Sequence, residues 1–121
     1  MTKGLYHYLR ENWKKPDQNM LRSAMITWRT QESVHKIEKP TRLDKARMLG
    51  YKAKKGFVIA RVRLKRGGRT RPRPRKGRRS KRMTIVKILK MNYRWVAEQR
   101  AQKKFPNLEV LNSYFLSKDG K

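Results

Sequence analysis

The sequence predicts an α+β fold, in which a small helical and stranded globular part carries a long, extended, basic internal arm. Apolar residues recur at helical spacing near both ends of the chain, residues 57–65 alternate as a strand does, and residues 66–82 contain no aliphatic side chain. One domain in three stretches is implied: 1–65 with the N-terminal helices and first strand, 66–82 as the arm, and 83–121 with a long helix and a second strand.

Leu5, Leu9 and Trp13 fall every fourth position, flanked by Tyr6 and Tyr8, so a short amphipathic helix is expected from Thr2, as its cap, to Lys15. Pro16 closes it. Asp17 caps a second helix whose Met20, Leu21, Ala24, Met25 and Trp28 share one face, and the two helices should pack together around core-forming Trp, Met and Tyr side chains. A polar linker holding His35 leads to Thr41, which stands three residues before Asp44 as in a capping box. A short helix at about Arg42 to Leu49 follows, closed by Gly50 in the left-handed conformation.

In residues 57–65, Val58, Ala60, Val62 and Leu64 point one way and Arg61, Arg63 and Lys65 the other, while Phe57 and Ile59 begin the second face and should pack under a neighbouring helix. Cations two apart on a strand stand about 6.6–6.8 Å from one another, which makes a one-sided basic row. The arm then opens with Gly67-Gly68 and runs through Arg71-Pro72-Arg73-Pro74-Arg75, a pattern that favours a polyproline-like chain. At ~3.1 Å per residue it reaches roughly 50 Å, against a radius of gyration of about 13 Å for a 100-residue domain. Beyond it, Ile85, Ile88, Leu89, Tyr93, Trp95, Val96 and Ala97 mark what should be the longest helix, capped by Thr84 and stopped by Pro106. After a turn at Pro106-Asn107, Leu108 and Val110 begin a second strand that continues toward Tyr114 and Leu116. Asp119-Gly120 reads as a hairpin turn, so the chain is expected to be cut mid-hairpin.

Thirty-five Lys and Arg against eight Asp and Glu leave a net charge of +27, which repels itself unless a polyanion neutralises it. The chain has no Cys, so disulfides, thiolate metal sites and a cysteine nucleophile are excluded. His7 and His35 have no ligand-like spacing, and the carboxylates are scattered singly with none between Lys45 and Ala97. Gly67-Gly68 lacks the signature of a phosphate-cradling loop. No catalytic site, metal, cofactor, small-molecule substrate or membrane span is therefore expected.

That acid-free window, with Arg42 just before it, is the candidate RNA-binding surface: Arg42, Lys45, Arg47, Lys52, Lys54 and Lys55 before the strand, Arg61, Arg63, Lys65 and Arg66 on and after it. Arg69, Arg71, Arg73, Arg75, Lys76, Arg78, Arg79, Lys81 and Arg82 continue it along the arm. Arginine outnumbers lysine in the arm, and its planar fork grips phosphate bidentately and stacks on bases, as a lysine cannot. Non-specific chromatin-type DNA binding is the alternative allowed by the same charges.

The string TRLDKARMLGYKAKKGFVIARVRLKRGGR at 41–69, with VLNSYFLSKDGK at the end, resembles the L-fifteen-e family of large-subunit ribosomal proteins, shared by archaea and eukaryotes. GLYHYLRENWKK at the start, the D-K-A-R-x-L-G-Y-K-A-K block from Asp44, the R-x-R-x-x-R-G-G-R turn from Arg61 to Arg69 and A-E-x-R at Ala97 to Arg100 extend the likeness in order. The resemblance implies a cytoplasmic, non-catalytic constituent of the ribosome whose basic extensions thread large-subunit rRNA beside neighbouring ribosomal proteins. It also implies further basic sequence after the hairpin turn. The plain, arginine-rich arm favours an archaeal source.

Overall fold

A computed structural model describes residues 2–72, 75–81 and 86–120. The chain runs as α1 (Leu5–Lys14), α2 (Gln18–Thr30), β1 (Val34–Ile37), α3 (Leu43–Met48), β2 (Ile59–Val62), β3 (Arg69–Thr70), β4 (Val86–Lys87) and α4 (Tyr93–Lys104). This is a mixed α+β fold built on two separate two-stranded antiparallel ladders, β1 with β2 and β3 with β4.

The local signals act where chemistry close in sequence decides. The Asp17 carboxylate accepts the Asn19 amide at 2.9 Å and so starts α2. Gly50 has φ +97°, and its N–H reaches the Arg47 carbonyl at 3.2 Å while Tyr51 N–H reaches that of Ala46 at 3.0 Å. That pair of bonds is a Schellman closure of α3. The Phe105 carbonyl accepts the Leu108 amide at 3.1 Å, closing the turn at Pro106-Asn107.

Elsewhere tertiary partners override the local reading. Gly4 rather than Thr2 caps α1, and α1 packs on α3 instead of on α2. The Arg42 guanidinium lies 5.1 Å from the Trp13 ring centre, so a cation–π contact draws α3 to α1. With Arg42 at the cap of α3, the capping box from Thr41 does not form, and Asp44 turns inward to pair with Arg42 at 3.7 Å. The polar linker around His35 is strand β1, whose Val34 and Ile37 stand opposite Val62 and Ile59 of β2. β2 needs that partner and ends with it at Val62, although Arg63 adds one further bond, from its N–H to the Ser33 carbonyl at 2.7 Å.

The second half departs further from expectation. α4 starts at Tyr93, where Asn92 accepts the Trp95 amide at 2.8 Å, so its 12 residues make it shorter than the 13 of α2. The β-branched Val86 belongs to a strand, while the expected Thr84 cap and Ile85 lie outside the described residues. Residues 108–116 form no strand, and both ladders remain two-stranded. The tail runs along α4 instead. Gln102 donates to the Leu108 carbonyl at 2.6 Å and accepts the Val110 amide at 3.2 Å, one side-chain amide standing in for a strand's peptide. Asp119, placed by the sequence in a hairpin turn, instead accepts from Nε and Nη2 of Arg29, the latter at 2.9 Å.

The core is very small. Among the described residues only Ala46 (4% exposed) and Asp44 (2%) are buried, and no large side chain is fully enclosed. The exposed surface is 11013 Å²; a compact monomer of 14.6 kDa would present about 6,900 Å². The expected core stripes are only partly covered: Leu21, Ala24, Met25 and Trp28 are half-buried, while Leu5, Met20, Ile88 and Trp95 face solvent.

Candidate nucleic-acid interface

The expected cations separate into two populations. The first is bound into the fold. Arg61 places its guanidinium 4.6 Å from the ring centre of Trp28 and donates to Gln31, and burial pushes it below its usual pKa range. Arg63 donates to the carbonyls of Trp28 and Arg29, while Thr30 Oγ1 donates to that of Thr27 at 2.7 Å. α2 ends without a glycine, so these side chains satisfy its orphan carbonyls and a cation meets the negative end of the helix. The basic row expected along one strand face is thus dissolved: Arg61 and Arg63 are turned onto α2, and Lys65 alone of the three lies exposed without such a bond. Arg42 is likewise held by Trp13 and Asp44, and Arg66 donates to the Asp119 carbonyl at 3.0 Å.

The second population is presented outward. Lys52, Lys54 and Lys55 stand exposed on the loop that turns at Gly56, with Lys54 5.7 Å from the Phe57 ring centre. Arg47 is exposed and Lys45 half-buried on α3. In the arm Arg71, Arg75, Lys76, Arg78, Arg79 and Lys81 are exposed, and Arg73 and Arg82 lie outside the described residues. The root of the arm is extended, and it is paired within the chain rather than free. Arg69 and Thr70 pair with Lys87 and Val86, and the Gly67 amide donates to the Tyr93 hydroxyl at 2.9 Å. Gly68 permits this ladder, since a Cβ there would stand 2.5 Å from Val86 Cγ1 and 3.0 Å from the Lys87 carbonyl oxygen.

The ion pairs follow the same division. Lys14 with Glu11, Arg29 with Asp119, Arg42 with Asp44, Arg94 with Glu98 and Lys104 with Glu32 are all framework pairs. Among the described residues no cation from Lys45 to Lys90 is so paired. Low-dielectric focusing is slight here, because these side chains stand in solvent. An unpaired basic surface of this kind is electrostatically suited to a polyanion.

Lys87, Lys90, Arg100 and Lys103 are likewise exposed and were not among the expected residues. The available signal was the spacing of Val96, Gln99, Arg100 and Lys103, a helical stripe that mixes one apolar residue with two cations and so does not read as a core face. Among the described residues no group of three or more His, Asp or Glu side chains could hold a metal ion, and no helix is long and apolar enough to cross a membrane.

A cationic scaffold with little interior of its own and an uncompensated basic lobe defines a protein made to be part of a larger assembly. Residues 4–121 match the family model described as Ribosomal L15, and the chain belongs to this L15e family of ribosomal proteins. It is a structural protein of the large ribosomal subunit in the cytoplasm and not an enzyme.

Proposed function

We propose that the chain binds and stabilises folded large-subunit rRNA through its acid-free lobe. Arg71, Arg75, Lys76, Arg78, Arg79 and Lys81 meet phosphates, with Arg73 and Arg82 in the same run, and Lys52, Lys54 and Lys55 extend the surface. The observation that carries this reading is the division of charge, in which every ion pair of the described residues lies in the framework and none in residues 45–90. Most such contacts are sequence-blind, and RNA shape supplies the specificity. Neighbouring ribosomal proteins meet the exposed apolar faces of the body, and the plain arginine-rich arm fits an archaeal source.

The test replaces the exposed arm arginines by glutamine and follows co-sedimentation with large subunits as salt is raised. The variant should leave the particle at markedly lower salt. Unchanged association would overturn the assignment, and preference for duplex DNA over folded rRNA at matched salt would replace it with the chromatin-type alternative.

A further inference from the structure

A groove of about 290 Å³ opens between the exit of β4 and one flank of α4. Its lining combines the apolar Leu89, Met91 and Val96 with the cations Arg69, Arg100 and Lys103 and the amide of Gln99. Val96, Gln99, Arg100 and Lys103 are spaced i, i+3, i+4, i+7 and therefore share one helix flank.

The opposite flank is occupied by the tail. Arg94 donates to Asn112 and Ser113 at 2.6 and 2.7 Å, Glu98 meets Ser113, and Gln102 brackets residues 108–110. Among the described residues no such hydrogen-bonded strap covers the groove flank. Arg69 is fixed across from it by the β3–β4 ladder and by the hydrogen bond from Gly67 to Tyr93.

The lining has the chemistry of a single nucleotide. Apolar side chains take the face of a base, three cations take phosphate, and a side-chain amide can both donate to and accept from a base edge or a 2′-hydroxyl. No carboxylate lines the groove to oppose an anion. Paired RNA keeps its bases stacked away from such side chains, and an apolar peptide has no use for three cations around it. We propose that this groove receives one unstacked RNA nucleotide, its base on Leu89, Met91 and Val96 and its phosphate on Arg69, Arg100 and Lys103. The inference rests on the rRNA-binding reading and adds to it a base-contacting subsite.

The full chain is titrated with two RNA hairpins that differ only in one unpaired nucleotide extruded from the stem, each of the four bases being tried at that position. The extruded form should bind about tenfold tighter than the paired form at matched salt. Leu89→Ser with Met91→Ser, at sites already more than a third exposed, should abolish the preference. Paired binding and the slope of affinity on salt should stay as they were, because apolar contacts release no counterions. Equal binding of both hairpins, or a preference that survives the double variant, overturns the subsite and leaves the arm's role standing. Failure to bind either hairpin overturns both. Independently of variant folding, a benzophenone side chain at position 91 in assembled large subunits should crosslink to one rRNA nucleotide; a crosslink to protein, to a spread of nucleotides, or to nothing overturns the inference.

Discussion

The framework and the lobe of residues 69–90 use the same side chains for opposite purposes. In the framework each of Arg29, Arg42, Arg61, Arg63 and Arg94 has a carboxylate, a carbonyl, a side-chain amide or an aromatic ring within reach. These arginines act as cross-links in a body that has almost nothing else to bury. In the lobe Arg71, Arg75, Arg78 and Arg79 have no such partner among the described residues and stand in solvent. An arginine's role here is set by whether a partner lies within a few ångströms, and so is invisible to composition.

The largest effect that would break this contrast comes from the lobe. Changing Arg71, Arg75, Arg78 and Arg79 together to Gln should lower rRNA affinity on the order of 100-fold or more and reduce the slope of log K on log salt by about four. Lys14→Gln, in an exposed framework pair, should leave both unchanged in the same binding assay. Second in size is the framework's buried carboxylate: Asp44→Ala strands the Arg42 guanidinium and should cost about 3 kcal/mol in urea denaturation, with rRNA affinity of the folded fraction unaffected.

Smaller is Gly68→Ala, whose new methyl group collides with Val86 and the Lys87 carbonyl. It should cost roughly 1–2 kcal/mol and act locally. Amide exchange should accelerate at residues 69–70 and 86–87 while the β1–β2 amides keep their protection. The smallest effect belongs to Tyr114, half-buried, whose phenol burial raises above its ordinary value of about 10 although Arg42 pulls the other way. A group raised in the fold stabilises it fully below the unfolded pKa and loses that contribution as pH climbs through the folded one. Stability should therefore fall at alkaline pH above about 10, and Tyr114→Phe should flatten that fall by less than about 1 kcal/mol in a pH series of denaturation curves.

What could be read from the residues was what is decided within a few positions. Asp17 starts a helix because its own carboxylate reaches Asn19, and Gly50 ends one because only its backbone tolerates φ +97°. The arm was legible because seventeen consecutive positions without an aliphatic residue cannot form a core. β1 was not, since Val34-His35-Lys36-Ile37 shows no alternation and is a strand only through its register with β2. The tail misled for the converse reason: Leu108 and Val110 carry a strand pattern, but the partner that reached them was the Gln102 side chain. Of the interface, the charge was legible and the allocation was not, because Trp28 lies over thirty positions from Arg61 and the two meet only in three dimensions.

The excess of wetted surface over that of a close-packed monomer has a calorimetric consequence. Little hydrocarbon is dehydrated when this chain folds, so the heat-capacity increment of unfolding is small and the free-energy curve against temperature is shallow. Melting of the isolated chain should accordingly be gradual, which scanning calorimetry would register as a broad transition.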